Sequence, residues 1–172
     1  MTDAPVIETE RLVLRGHRQA DFAAYAEFYA SDRAEFVGGP VGPAQAWRFF
    51  AGQAGHWVLM GFGWWMIEAE GRPIGMAGLH RPPHYPELEI GWTVFAGGEG
   101  HGYAQEAASA ALAWGWRHVR PESLVSYIEP GNNRSVRLAE RLGASRDDAA
   151  TKPAGEPDLL VYRHAKPEQA AA

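Results

Sequence analysis

The sequence predicts an α+β, or layered α/β, fold in which a mixed sheet is flanked by helices. Three observations lead there. The β-type runs Trp64–Ala69 and Pro73–Leu79 flank a short turn, Glu70-Gly71-Arg72, which is the pattern of a hairpin. The apolar run Ile90–Phe95 opens onto Gly97-Gly98-Glu99-Gly100-His101-Gly102, and an alanine-rich, proline-free segment then extends to about His118. That order reads as strand, glycine turn, helix. A second such unit runs from Ser123 through Pro130-Gly131-Asn132-Asn133 to Leu142. Strands joined first by hairpins and then through helices need both antiparallel and parallel neighbours.

Val6–Arg15 reads as the first strand, with Leu12 and Leu14 on one face. Asp21 is placed to cap a helix in which Phe22, Tyr25, Phe28 and Tyr29 recur at three- and four-residue spacing, a core stripe. Ser31–Pro40 is expected as loop. Pro43 suits the first turn of a second helix whose inner face carries Ala46, Trp47, Phe50 and Ala54. After the hairpin, three prolines make His80–Pro86 irregular. Strands are expected over Glu87–Phe95, Ser123–Ile128 and Asp158–His164, with Gly143 closing the last helix and Ala165–Ala172 fraying. The whole chain, residues 1–172, reads as one domain with its core at about 7–164.

Composition removes several function classes. The formal charge of −5, without a long basic run, disfavours a nucleic-acid groove, because such binding depends on phosphate neutralisation. The absence of cysteine excludes disulfides, thiol catalysis and cysteine-ligated zinc. Met1–Pro5 lacks a secretory pattern, and no apolar run reaches the roughly 20 residues of a membrane span, so a cytoplasmic protein without membrane contact is expected. His80 and His84 have the spacing of helical metal ligands, but Pro82 and Pro83 forbid the helix; no metal is assigned.

A glycine turn at a helix start suits an anion: the backbone can approach closely, and unpaired N–H groups sit at the positive end of the dipole. Whose phosphate is decided by the neighbours. A Walker loop needs Lys followed by Ser or Thr where Tyr103-Ala104 stand, and a dinucleotide fingerprint beginning at Gly100 needs a small residue where Gln105 stands.

Gly100-His101-Gly102-Tyr103-Ala104-Gln105-Glu106-Ala107, together with the segment Glu129–Ala144, resembles the two cofactor motifs of the GNAT superfamily of N-acetyltransferases. Glu8–Arg15, Pro73-Ile74-Gly75 and Glu89-Ile90-Gly91-Trp92 place the likeness nearest the RimJ/RimL-like, ribosomal-protein alanine acetyltransferase group, over residues 7–163. The resemblance implies a mixed, mostly antiparallel sheet splayed between the strands from Glu87 and from Ser123, counted fourth and fifth. It implies acetyl-CoA as co-substrate, without a metal. The amides of Gly100, His101, Gly102, Tyr103 and Ala104 would hold the pyrophosphate. Trp92-Thr93-Val94 would border the pantetheine arm, with a backbone N–H near Val94 polarising the thioester carbonyl. Asn132 would flank that arm, although asparagine is also a favoured helix N-cap.

The chain departs from the family at two positions. Glu99 stands where Gln or Arg is usual, and its carboxylate would repel pyrophosphate unless it turned away. Ala139 stands where many members carry a general-acid tyrosine; Ser135 is the nearest other donor to the CoA thiolate, or else a first-turn hydroxyl. Glu89 leads as the base, with Glu87 its rival. An α-amino acceptor, with a reference pKa of about 7.7–8.0, needs less help than lysine at about 10.4. Arg33–Gly38 and the hairpin bearing Trp64 and Trp65 are expected to border the acceptor pocket. The expected partner is a small-molecule or peptide amine, for a monomer or homodimer. The competing reading is a CoA-binding sensor or interaction protein on the same fold, its catalysis lost.

Overall fold

The computed structural model describes residues 4–167, so the part of the expected frayed tail beyond 167 lies outside the described residues. Eight strands and four α-helices follow in order: β1 (Ile7–Glu8), β2 (Val13–Arg15), α1 (Phe22–Tyr29), α2 (Pro43–Met60), β3 (Trp64–Ala69), β4 (Arg72–His80), β5 (Leu88–Val94), α3 (Tyr103–Trp114), β6 (Leu124–Ile128), α4 (Asn133–Arg141), β7 (Ala144–Arg146) and β8 (Leu160–His164). They form one sheet in the order β1-β2-β3-β4-β5-β6-β8-β7. Every neighbouring pair is antiparallel except β5 and β6. The expected mixed, mostly antiparallel sheet is therefore present.

Local chemistry moves several boundaries. The expected first strand is two, because Thr9 turns the chain: its N–H donates to the Leu12 carbonyl at 2.9 Å, and its hydroxyl accepts from the Leu12 N–H at 3.0 Å. Asp21 does not cap α1 through its side chain. Its carboxylate instead pairs with both Arg15 Nη atoms at 2.8 Å and accepts the Arg18 N–H, deep in the protein. The loop expected over Ser31–Pro40 contains a tight 3-10 turn, Asp32–Val37, closed by Gly38 at φ +87°. On α2, Ala46 and Phe50 are buried as expected, but Trp47 is 46% exposed and Trp57 is the buried tryptophan. The last part of the expected long helix widens into a π turn, Gly115–Val119. The short strand β7 had no periodic signal of its own.

The sheet has two apolar faces. Ile67, Ala77, Leu79, Leu88 and Ile90 pack with Ala107 and Ala111 of α3. Met66 and Met76 pack with Tyr25, Phe28 and Phe50 from α1 and α2. Burial of two such faces supplies most of the folding drive.

The sheet forks between β5 and β6. Their parallel pairing consists of Leu88↔Leu124 and Glu89↔Val125, and the strands then part. At the fork the Ser126 hydroxyl donates to the Ile90 carbonyl at 2.8 Å, with His164 Nε2 at 3.0 Å from the same oxygen. The Ile90 carbonyl accepts only, so it takes the hydroxyl proton and His164 donates through Nε2.

Candidate active site

The fork exposes backbone polar groups. Phe95 donates to the Ile74 carbonyl at 2.8 Å, and the β4–β5 register continues through Val94↔Gly75 and Thr93↔Met76. Alternation along an antiparallel ladder turns the Trp92 and Val94 N–H groups to the other edge, toward β6, which has already diverged. Buried backbone donors need partners, so this edge is a ready ladder for an extended ligand.

A cavity of about 410 Å³ lies beyond the fork, lined by Trp92, Thr93, Val94, Gly100, Gly102, Tyr103, Ala104, Asn132 and Ser135. Of the ten residues expected to hold the cofactor, nine thus share one space; His101 is not among its walls. The His101 ring stacks on Tyr103 at 5.2 Å, and its carbonyl accepts from Arg11 Nη1 at 2.8 Å. Gly97, Gly100 and Gly102 all have φ near +80°, a left-handed backbone that a side chain would strain, so the turn needs its glycines. Arg11 and Glu106 fasten the turn from outside. The Glu106 carboxylate in the first turn of α3 takes the Thr9 hydroxyl at 2.6 Å, the Arg11 N–H at 2.9 Å and Arg11 Nε at 2.8 Å. Burial opposes that charge, but these bonds outweigh it and hold the carboxyl below its usual range.

Glu99 does not stand as a free charge. Arg33, from the 3-10 turn, and Arg134, at the start of α4, close on its carboxylate. Arg137 and Arg141 line the same cavity. Four guanidiniums against one carboxylate leave the cavity net positive, as a pyrophosphate requires. Asn132 caps α4, its Oδ1 accepting the Ser135 N–H at 3.2 Å. Ala139 is fully buried among Ile128, Ala144 and Tyr162.

A second cavity, of about 710 Å³, opens on the α1–α2 side of the sheet and shares Phe36, Val37, Trp92, Thr93, Asn132 and Ser135 with the first. Trp64 lies against the sheet there: a Cβ on Gly91 would sit 2.5 Å from Trp64 Cη2. Trp65, expected beside it, points to the opposite face, is fully buried and donates Nε1–H to the Pro5 carbonyl at 2.7 Å. Glu89 reaches this cavity with 13% of its side chain exposed, and Oε2 lies 3.5 Å from His80 Nδ1. Glu87 is engaged elsewhere. It takes both Arg163 Nη atoms, at 2.5 and 3.0 Å, and the Ser123 hydroxyl. Arg163 foremost holds the Glu87 carboxyl below its usual range. Glu129 and Glu156 also line the larger cavity, against the single guanidinium of Arg48.

Sequence reasoning missed Arg134, His80, Tyr85 and the pinning by Arg11, and it set Arg33 beside the acceptor pocket, whereas Arg33 lines the smaller cavity. The signal for His80 was present: pairing the strands on either side of the proline loop sets it opposite Glu89. No sequence signal foretold that Arg33 meets Glu99.

Among the described residues, no group of three or more His, Asp or Glu is arranged to hold a metal ion, and no helix is long and apolar enough to cross a membrane. The family model described as acetyltransferase (GNAT) domain matches residues 11–145. A solved acetyltransferase from Agrobacterium tumefaciens is 40% identical, with 94% of this chain and 95% of that one covered and a TM-score of 0.89. RimL, a ribosomal L7/L12 α-N-protein acetyltransferase solved with coenzyme A, shares the fold at 14% identity, with 92% and 95% covered and a TM-score of 0.71. YkkB of Bacillus subtilis is 34% identical over 83 residues, 46% of this chain and 48% of its own length. The match thus spans about half of that curated relative.

Proposed function

The chain belongs to the acetyltransferase (GNAT) family, and from that premise we propose that it transfers acetyl from acetyl-CoA to a primary amine by direct attack. One observation carries the reading: the β5–β6 fork leaves the Trp92 and Val94 N–H groups without a strand partner, with Trp92 lining both cavities and Val94 the smaller one. Pantetheine amides fit that edge, and a thioester carbonyl beside Val94 would be polarised by a donor already in place. The first-turn amides of α3, with Arg33, Arg134, Arg137 and Arg141, suit the phosphates. The amine enters from the larger cavity, where Glu89, Glu129 and Glu156 favour an ammonium over an anion. Glu89 supplies the negative charge that draws a proton from it, since Glu87 is committed to Arg163. Ser135, on both cavities, is placed to protonate the departing thiolate. The acceptor class is an amine of a protein N-terminus, a lysine or a small molecule, and the chain works as a single domain.

Thermal shift with acetyl-CoA, followed by thiol release over a panel of amines and peptides, tests this. Stabilisation with turnover is expected. Stabilisation without turnover on any acceptor would favour a CoA-binding sensor, and no stabilisation would sink both readings.

A further inference from the structure

We infer that the atom receiving the acceptor's proton is His80 Nε2, and that Glu89 acts on it by holding the imidazole in place. This rests on the acetyl-transfer reading above. His80 ends β4 and is the register partner of Glu89 on β5, so the two side chains leave the same face of the sheet side by side. Oε2 of Glu89 lies 3.5 Å from Nδ1 of His80, a separation of the kind that tightens once substrate fills a site. Once that contact closes to hydrogen-bond distance, the carboxylate fixes the tautomer with the proton on Nδ1 and leaves Nε2 with a free lone pair. Among the described residues, no protein group bonds that Nε2, and His80 is 31% exposed on the larger cavity.

The neighbours support the assignment. His56, on α2, faces His80 at 5.3 Å but is spoken for at both nitrogens. Its Nδ1–H donates to the Phe62 carbonyl at 2.7 Å, and Nε2 accepts the Arg81 N–H at 3.4 Å. Tyr85, from the proline loop, stands edge-on to His80 at 5.3 Å and to Tyr127 of β6 at 5.3 Å. Burial first, then Glu89, Glu156 and Glu129, push the Tyr85 phenol up, so it stays a neutral wall. Trp64 closes the remaining side at 6.3 Å. The groups that share the cavity with His80 are thus one adjacent carboxylate, the two further carboxylates of Glu129 and Glu156, the single guanidinium of Arg48, a neutral imidazole and neutral phenols.

The proton count closes. The ammonium gives one proton to His80 Nε2, which passes it to solvent. The nitrogen–carbon bond forms as the carbon–sulfur bond breaks, Ser135 protonates the sulfur, and the second nitrogen proton restores the Ser135 hydroxyl. The products are the amide, the thiol and one proton.

The test compares His80→Asn, His80→Ala and Glu89→Gln with the unaltered enzyme, on an alkylamine and on a weakly basic arylamine. His80→Asn should lower kcat on the alkylamine about a hundredfold at neutral pH, with acetyl-CoA binding unchanged. The deficit should shrink as pH rises past the acceptor's pKa, and should be small on the arylamine, which is already deprotonated. Free imidazole should restore part of the His80→Ala rate, and Glu89→Gln should cost less than His80→Asn. An equal loss at every pH and on both amines, no imidazole rescue in a His80→Ala protein that still binds acetyl-CoA, or a greater loss in Glu89→Gln would overturn the assignment while leaving acetyl transfer standing. No turnover by the unaltered enzyme on any amine would overturn both.

Discussion

Arg134 Nη1 lies 3.2 Å from the Glu99 carboxylate at the mouth of the smaller cavity, and Arg33 closes on the same oxygen from the facing wall. A residue that would repel a pyrophosphate is thus held by two guanidiniums that would otherwise meet one. A phosphate bound there, as the proposed function requires, would have to compete with an internal carboxylate for the same donors.

Glu99→Gln should therefore bind acetyl-CoA more tightly. Half-exposed pairs of this kind are worth about 0–1 kcal/mol, so the expected gain is about two- to fivefold in Kd. Isothermal titration at low and high salt reads it. Weaker binding by the variant would mean that the clasp builds the cavity wall rather than competing for its ligand.

Glu87→Gln separates structure from chemistry. Its partner Arg163 also holds Asp147 at 2.8 Å, so the variant should lose about 1–2 kcal/mol of stability. The rate on an amine at neutral pH should stay within about twofold, because Glu87 does not reach the larger cavity. The depressed Glu87 carboxyl stabilises the fold above its unfolded pKa near 4.5, and that contribution fades as pH falls through the lower folded value. A urea series against pH should show a shallower acid limb in the variant. A large loss of kcat at unchanged stability would return Glu87 to the list of bases.

Asp21→Asn should be far more damaging than the loss of the helix cap that the sequence suggests. The Arg15 and Asp21 side chains are 5% and 3% exposed, and removing one charge strands the other, at a cost of about 3 kcal/mol or more. Chemical denaturation measures it. A loss below about 1 kcal/mol would show that Glu68, 2.6 Å from Arg15 Nε, suffices alone.

His164 and His17 set a second acid limb. Burial pushes both imidazoles down to about 4, from 6.5. Between those values the unfolded chain binds protons that the folded one refuses, so stability falls as pH drops from about 6.5 toward 4. Each such proton contributes a slope of about 1.4 kcal/mol per pH unit. His164→Gln, which retains a donor toward Ser126, should flatten the slope in that window by one proton. An unchanged slope would mean that His164 is charged when folded.

Gly91→Ala should impair the acceptor side alone. A Cβ there falls 2.5 Å from Trp64 Cη2, so the indole has to swing into the larger cavity. The expected result is an acceptor KM raised about tenfold or more, with acetyl-CoA binding nearly unchanged; one lost methyl-sized fit is worth about 1–3 kcal/mol. An unaltered KM would show that Trp64 is not part of the acceptor's floor.

By itself the sequence determined the layered fold, the two strand–turn–helix units and the position of the glycine turn. These follow from local causes: left-handed backbone at Gly100 and Gly102, the Asn132 cap, and apolar alternation on β3 to β6. Tertiary structure alone decided the roles of the charged side chains. Glu87 and Glu89 stand two residues apart on one strand, yet Arg163, 76 residues after Glu87, withdraws the first while the register of β4 gives the second a histidine. Glu99 likewise owes its setting to Arg33 and Arg134, which come from different elements. A charge acts through whatever lies within a few ångströms, and for these residues that neighbour is set by packing rather than by position in the chain.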